Sequence, residues 1–206
     1  MKFWVRLFAL ICFVVSITGC TMFAEQPSYV SVEKDDPFEL RDYRELIVAE
    51  TEVSAALEDA GGEAFQRLFE YISGENKTQE GISMTSPVTQ TPASEEIAMT
   101  APVGQRETET GWIVSFIMPD SYTLETLPQP TNPDVTLRVL PSRRVAVIRY
   151  SGTWSDERYR EHLARLNHWI EQQNLEITGD PIWARYNPPF TPWFMRRNEI
   201  MMPVAD

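Results

Sequence analysis

The sequence predicts an α+β fold in which two helices stand apart from a largely antiparallel sheet. Three observations carry that prediction. Two stretches, Gly62 to Ile72 and Ser155 to about Gln173, place apolar side chains at helical spacing. Several short runs, Trp112 to Pro119 and Val145 to Tyr150 among them, read as strands. The order of elements also repeats: Leu40-Arg41 precedes Val48-Ala49 by eight residues, as Leu137-Arg138 precedes Val145-Ala146. Each set is followed by one helix and further strands. Either two strand-helix-strand halves share one sheet or barrel, or two strand pairs resemble each other by chance.

The 206 residues suit one domain with an extension. Lys2 and Arg6 open the chain, Leu7 to Ile17 is almost wholly apolar, and small residues lead to Cys20, the layout of a secretory signal over residues 1–19. The apolar run falls short of the roughly 20 residues of a membrane span. Ile17-Thr18-Gly19-Cys20 resembles the bacterial lipobox, which implies lipidation at Cys20, cell-envelope localisation and, with Thr21 next, an outer-membrane address facing the periplasm in a Gram-negative cell. Cys12 would leave with the signal, so no disulfide forms and the core alone must hold the fold. Loss of Lys2 and Arg6 takes the formal charge from -12 to -14, which argues against nucleic acid and against electrostatic docking on anionic lipid.

Residues 20–37 read as lipidated N-terminus and flexible tether, and 38–203 as the domain. Phe38 to Val53 carries two strand-like runs, and Leu46-Ile47-Val48-Ala49 is apolar enough to be buried on both faces. In the first helix Phe65, Leu68, Phe69 and Ile72 form one stripe, with Gly74 and Asn76 as stop signals. Then Ile82 to Val88, with Met84, recurs as Ile97 to Val103, with Met99. Both copies alternate like strands and both carry a proline, so they read as a hairpin at a sheet edge. Gln105 to Gly111 reads as a polar turn. Pro128, Pro130 and Pro133 mark an irregular connection before the strands Val135 to Val139 and Val145 to Tyr150. Ser155 is the expected N-cap of the second helix, with Asp156 and Glu157 in its first turn. Tyr186 to Met202 closes the domain with a proline-rich turn and a strand.

Candidate chemistry is sparse. There is no Gly-x-Ser-x-Gly elbow, no His-Glu-x-x-His and no phosphate loop. His162 and His168 fall on different helix faces, so they cannot share a metal. His162 is either an axial ligand for heme iron or a histidine at the margin of a core helix. In Arg196-Arg197-Asn198-Glu199, strand alternation puts Arg197 and Glu199 on one face. An inward arginine needs a carboxylate, and Glu39 is a candidate. Glu199 is then an ion-pair partner or, alternatively, a buried general base. Trp154, Trp183, Tyr186, Phe190, Trp193 and Phe194 supply aromatic surface for flat hydrophobic ligands or for a core.

Taken in order, these residues resemble the SOUL heme-binding family. The matching pieces are Glu39 to Tyr43, Phe65 to Asn76, both Met-Thr-x-Pro-Val copies, Phe116 to Pro119, Tyr186 to Pro189 and Arg196 to Glu199. The resemblance implies a distorted pseudo-twofold antiparallel β-barrel of the SOUL/GyrI-like type flanked by two α-helices. It implies heme or another tetrapyrrole, or a similar small hydrophobic ligand, held without catalysis on the first helix, where Phe65, Phe69, Leu68 and Ile72 are the corresponding residues. It also gives Met84 and Met99 a structural task. Gly62, Glu70 and Thr191 stand where some relatives carry basic residues, and no histidine precedes His162. The related GyrI-like hydrolases offer an alternative, with Glu199 beside Trp183 or Trp193. A ligand-free envelope scaffold is another.

Overall fold

The computed structural model describes residues 24–54, 57–78 and 94–206. The signal segment, Cys20 and the first Met-Thr-x-Pro-Val copy, with Met84, lie outside these residues. Strands β1 (Tyr29–Asp35), β2 (Phe38–Tyr43) and β3 (Leu46–Val53) precede helix α1 (Leu57–Ile72). Then come β4 (Asn76–Lys77), β5 (Val103–Glu107), β6 (Trp112–Ile117), β7 (Gln129–Pro130), β8 (Thr136–Leu140) and β9 (Arg143–Tyr150). Helix α2 (Asp156–Gln172), β10 (Ile182–Arg185) and β11 (Asn198–Val204) complete the fold. Nine strands form one antiparallel sheet in the order β1-β2-β9-β11-β10-β5-β6-β3-β8, and β4 pairs with β7 apart from it.

From β2 to β8 this order reads the same from its other end when β2, β3, β5 and β6 are exchanged with β8, β9, β10 and β11. The register obeys the same exchange: Leu40 faces Ala146 as Leu137 faces Ala49, and Arg41 faces Val145 as Arg138 faces Val48. Those are the residues of the repeated sequence pattern. The helices follow suit, since α1 packs on β3 and β6 while α2 packs on β9 and β11.

The exchange also bends the sheet. Strands β8 and β9 lie far apart in the strand order, yet only Pro141 and Ser142 join them. Leu140 and Arg143 are three residue steps apart, at most roughly 11 Å. The edge carrying β8 must therefore curl towards β9. The expected barrel is nevertheless not closed. Strand β1 occupies the outer edge of β2, and β8 pairs only with β3 among the described residues.

One face of the curled sheet is covered by helices. Ala64, Leu68, Tyr71 and Ile72 of α1 and Tyr159, His162, Leu166, Trp169 and Ile170 of α2 are buried against it. Helix α1 stops at Gly74, whose φ of 110° suits a residue without a β-carbon. Asn76 Nδ2 donates to the carbonyls of Tyr71 and Glu95, both at 2.8 Å, tying the helix end to the following segment. Helix α2 begins after Ser155 as expected, without a side-chain capping bond. The opposite, helix-free face carries a smaller apolar cluster that includes Tyr43, Leu46, Val48, Val145, Val147 and Met201.

Three segments depart from the expected layout. Tyr29–Asp35, read as tether, pairs with β2; its residues are all exposed, so no apolar alternation announces it. Gln105 to Gly111, read as a turn, contributes to β5, whose two edges are taken by β6 and β10. Of the expected hairpin, only Val103 of the second copy belongs to this strand, and the first copy lies outside the described residues. In the second copy of the repeated motif Ile97 and Ala101 are buried and Met99 is exposed, and before Val103 the one bridge among the described residues is Thr100 to Glu25. Pro102 lacks the donor a ladder needs, and the strand begins after it.

Candidate functional site

Two surfaces carry the candidate residues. On α1, helical spacing divides the predicted stripe. Leu68 and Ile72 point into the core, whereas Phe65 is half-buried and Phe69 is 42 % exposed. The Phe65 and Phe69 rings stack with centroids 5.9 Å apart and 11° between planes. Phe116 of β6 meets Phe65 edge-on at 5.3 Å, which fixes the inner ring from below. The result is a flat aromatic platform anchored on its sheet side and open on the other. Arg67, the only basic residue of α1, pairs with Glu63 at 3.0 Å and donates to Thr51 Oγ1 at 2.8 Å.

The second surface is the helix-free face, and Glu199 is its most buried acid, at 0 % exposure. Arg41 grips it with two bonds, Nη1 to Oε2 at 2.8 Å and Nη2 to Oε1 at 3.1 Å. Arg197 donates Nε and Nη2 to Oε1 at 3.0 and 2.8 Å, and Tyr186 Oη donates to Oε2 at 2.7 Å. Glu39 takes the remaining side of Arg41 at 2.7 Å. Burial alone would raise the Glu199 pKa, but the bonds and charge of Arg41, the charge of Arg197 and the Tyr186 hydroxyl outweigh it and hold the carboxyl below its usual range. Tyr43 beside it is pushed up to about 12, chiefly by burial.

Further along the same face the packing loosens. A cleft of about 320 Å³ lies between Arg138, Arg143 and Arg106, against Val48, Leu140 and Ile182. Arg138 is neutralised by Glu50 through two bonds of 2.8 and 2.9 Å, and Arg106 sits 3.4 Å from Asp180. Arg143 has no carboxylate partner among the described residues, and burial followed by the charge of Arg138 lowers its pKa.

The profile of the SOUL heme-binding protein family matches residues 24–203. The chain belongs to that family. Heme-binding protein 1 of Xenopus tropicalis is 28% identical over 170 residues, which cover 82% of this chain and 84% of the relative. Its counterpart in Xenopus laevis is 27% identical over the same shares. Among solved structures, the C-terminal domain of EcmrR aligns with a TM-score of 0.53 at 13% identity, over 82% of this chain and 97% of that one, a likeness of fold.

Within this SOUL-family fold the other predicted residues separate. His162 is buried; its ring stacks on Tyr150 with centroids 3.9 Å apart, and Nδ1 donates to the Arg158 carbonyl at 2.8 Å. It belongs to α2, over other strands than the Phe65–Phe69 platform, so an axial ligand and the platform do not meet. The hydrolase set is not assembled either. Trp183 packs in the helix-covered core, on the face opposite Glu199, and Trp193 is on the surface. With five donated bonds on its two oxygens, Glu199 keeps no free lone pair for a substrate proton. Arg197 and Glu199 do share a face, as alternation requires, whereas Glu39 serves Arg41 instead of Arg197. Arg41 is the residue that sequence reasoning missed. It is 158 positions from Glu199, and its only signal is a charge on the inward side of an alternating strand.

Proposed function

We propose that the protein binds heme, another porphyrin or a similar planar hydrophobic molecule, without catalysis, at the cell envelope. The observation that carries this reading is the Phe65–Phe69 platform: two parallel rings, one of them 42 % exposed, held by Phe116 on a rigid helix. A planar macrocycle laid on Phe69 would bury apolar area and stack offset on the ring. Membership of the SOUL family and the heme-binding relatives support the ligand class. The fit covers the face of the macrocycle. Gly62 and Glu70 flank the platform without a cation for propionates, and Arg67 is engaged with Glu63, so affinity rests on stacking and apolar contact. When bound, heme would supply its own iron chemistry; this chain's residues supply a place to hold it.

Cys20 is the proposed lipid anchor, which puts the domain on the envelope, on the periplasmic side of the outer membrane in a Gram-negative cell. Residues 24–206 contain every described strand and helix, so this piece serves for titration. Hemin added to it is expected to give a saturable shift of the Soret band at one equivalent per chain. A featureless response that never saturates would sink the ligand reading. Labelled palmitate should enter the full chain and not Cys20→Ala; equal labelling would remove the anchor.

A further inference from the structure

The turn between β10 and β11 gathers four exposed large hydrophobic side chains within six residues. Phe190 is 86 %, Trp193 59 %, Phe194 61 % and Met195 65 % exposed. Large apolar groups gathered in this way mark an interaction surface. The backbone beneath them is tightly held. Met195 N–H donates to Pro192 O at 2.9 Å, Gly152 N–H to Trp193 O at 3.0 Å, and Arg197 N–H to Asn187 Oδ1 at 2.6 Å. Arg196 clamps the turn by donating to the carbonyls of Thr191 and Pro189 at 2.8 and 2.7 Å, and it stacks on Trp154 at 4.2 Å. Trp193 and Phe194 meet edge to face at 5.5 Å. These side chains are thus presented outward by a rigid turn, and the cleft of the helix-free face is not lined by them.

The path of the chain says what covers them. Gln26 accepts a bond from Arg197 Nη1 at 3.1 Å, two positions beyond Met195. The N-terminal segment therefore enters the fold beside the aromatic turn. Cys20 is six residues upstream, and an extended chain of that length spans at most roughly 20 Å. With a formal charge of -14 once Lys2 and Arg6 have left with the signal, the molecule is not drawn to a membrane by electrostatics, so contact must be apolar. Aromatic residues of this kind, amphipathic in Trp193 and greasy in Phe190 and Phe194, suit the headgroup boundary of a bilayer.

We propose that the Phe190 to Met195 turn is a membrane-insertion element that docks the domain on the lipid surface to which Cys20 tethers it. The lipid anchor alone would leave the domain free to tumble. Turn and anchor together fix its orientation, as two weak membrane contacts do in concert. This inference rests on the anchor reading given above.

The processed chain, lipidated at Cys20 and lacking residues 1–19, separates the two when incubated with phosphatidylcholine vesicles in which part of the lipid carries mid-chain bromines. Flotation reports attachment, and quenching of tryptophan emission reports insertion. Quenching is expected in the wild type and should be mostly lost in Trp193→Phe. In a Phe190→Ser/Phe194→Ser chain, which still floats, Trp193 should also escape the quencher. A chain that floats while Trp193→Phe is quenched as strongly as the wild type overturns insertion and leaves the anchor standing. A chain that does not float overturns both. Trp193 unquenched in a chain that sediments as a dimer without vesicles would give the turn to a second copy and likewise overturn insertion.

Discussion

The two ends of the sheet share a backbone plan and differ in what they do with it. At the end formed by β2, β9 and β11, Arg41 meets a fully buried Glu199. At the matching end, formed by β8, β3 and β6, Arg138 stands in the place of Arg41 and Ile113 in that of Glu199, so Arg138 takes Glu50 at a half-exposed site. Arg143 of β9 is the exception: it sits at the ion-paired end yet faces the cleft with no carboxylate partner among the described residues, whereas the corresponding Leu46 of β3 is packed in the apolar cluster. The helices follow the contrast set by Glu199 and Ile113: aligned on their buried residues, α1 carries Phe69 where α2 carries Asn167. One end buries its Arg–Glu pair and carries Asn167 on its helix; the other leaves Arg138 and Glu50 near the surface and exposes Phe69 on its helix. Duplicated topology thus fixes where side chains point, and local substitution decides which end stabilises and which end is free to bind.

The largest test of that contrast is Glu199→Gln. It removes the buried carboxylate shared by Arg41 and Arg197, leaving Arg41 with Glu39 alone, and should cost about 3 kcal/mol in urea unfolding, whereas Glu50→Gln should cost roughly 0.5–1 kcal/mol, because Arg138 remains solvated. Equal losses would erase the distinction between the ends. Acid should act through the same carboxyl. Its folded pKa is depressed below the ordinary value, so its stabilisation is full above about pH 4.5 and disappears as pH falls through the folded value. Urea midpoints measured from pH 6 downward should fall in the wild type and fall less in Glu199→Gln.

Much of the end that buries Glu199 was legible in the sequence. The stripe of α2, its acidic first turn and the shared face of Arg197 and Glu199 follow from periodicity, and the Leu-Arg to Val-Ala repeat marks the matched strands. What did not show is non-local. Arg41 finds Glu199 only through the exchange of β2 and β8 between halves, which no window of sequence displays. Strand β1 is exposed on every residue, and β5 reads Val-Gly-Gln-Arg-Glu because Arg106 faces the cleft, so neither has the alternation that marks a half-buried strand. On α1, spacing identified the stripe but not its split into buried Leu68 and Ile72 and exposed Phe69.

A smaller effect is expected at the cleft. Arg143→Leu installs the residue of the matching position and removes a partly buried cation that has no carboxylate partner among the described residues, which should raise stability by about 1 kcal/mol, or roughly 2–4 °C in Tm. A loss would show that Arg143 has a partner. The smallest effect belongs to His162. Burial lowers its pKa, against the bond to the Arg158 carbonyl, so the folded state prefers the neutral ring. The associated stabilisation is complete above the ordinary value of about 6.5 and declines as pH drops below it. The Tm should therefore decline between pH 7 and pH 5.5, and His162→Gln should flatten that decline.

The proposed ligand surface is tested most directly by giving α1 the residue that α2 carries. Phe69→Asn removes a partly exposed ring that stacks on Phe65 and is not part of the buried core, so the loss of stability should be small, about 1 kcal/mol. Hemin affinity read from the Soret band should fall at least about tenfold, the loss of one stacked aromatic contact of roughly 1.4 kcal/mol. Undiminished, saturable hemin binding in Phe69→Asn would contradict the account and move the ligand away from α1.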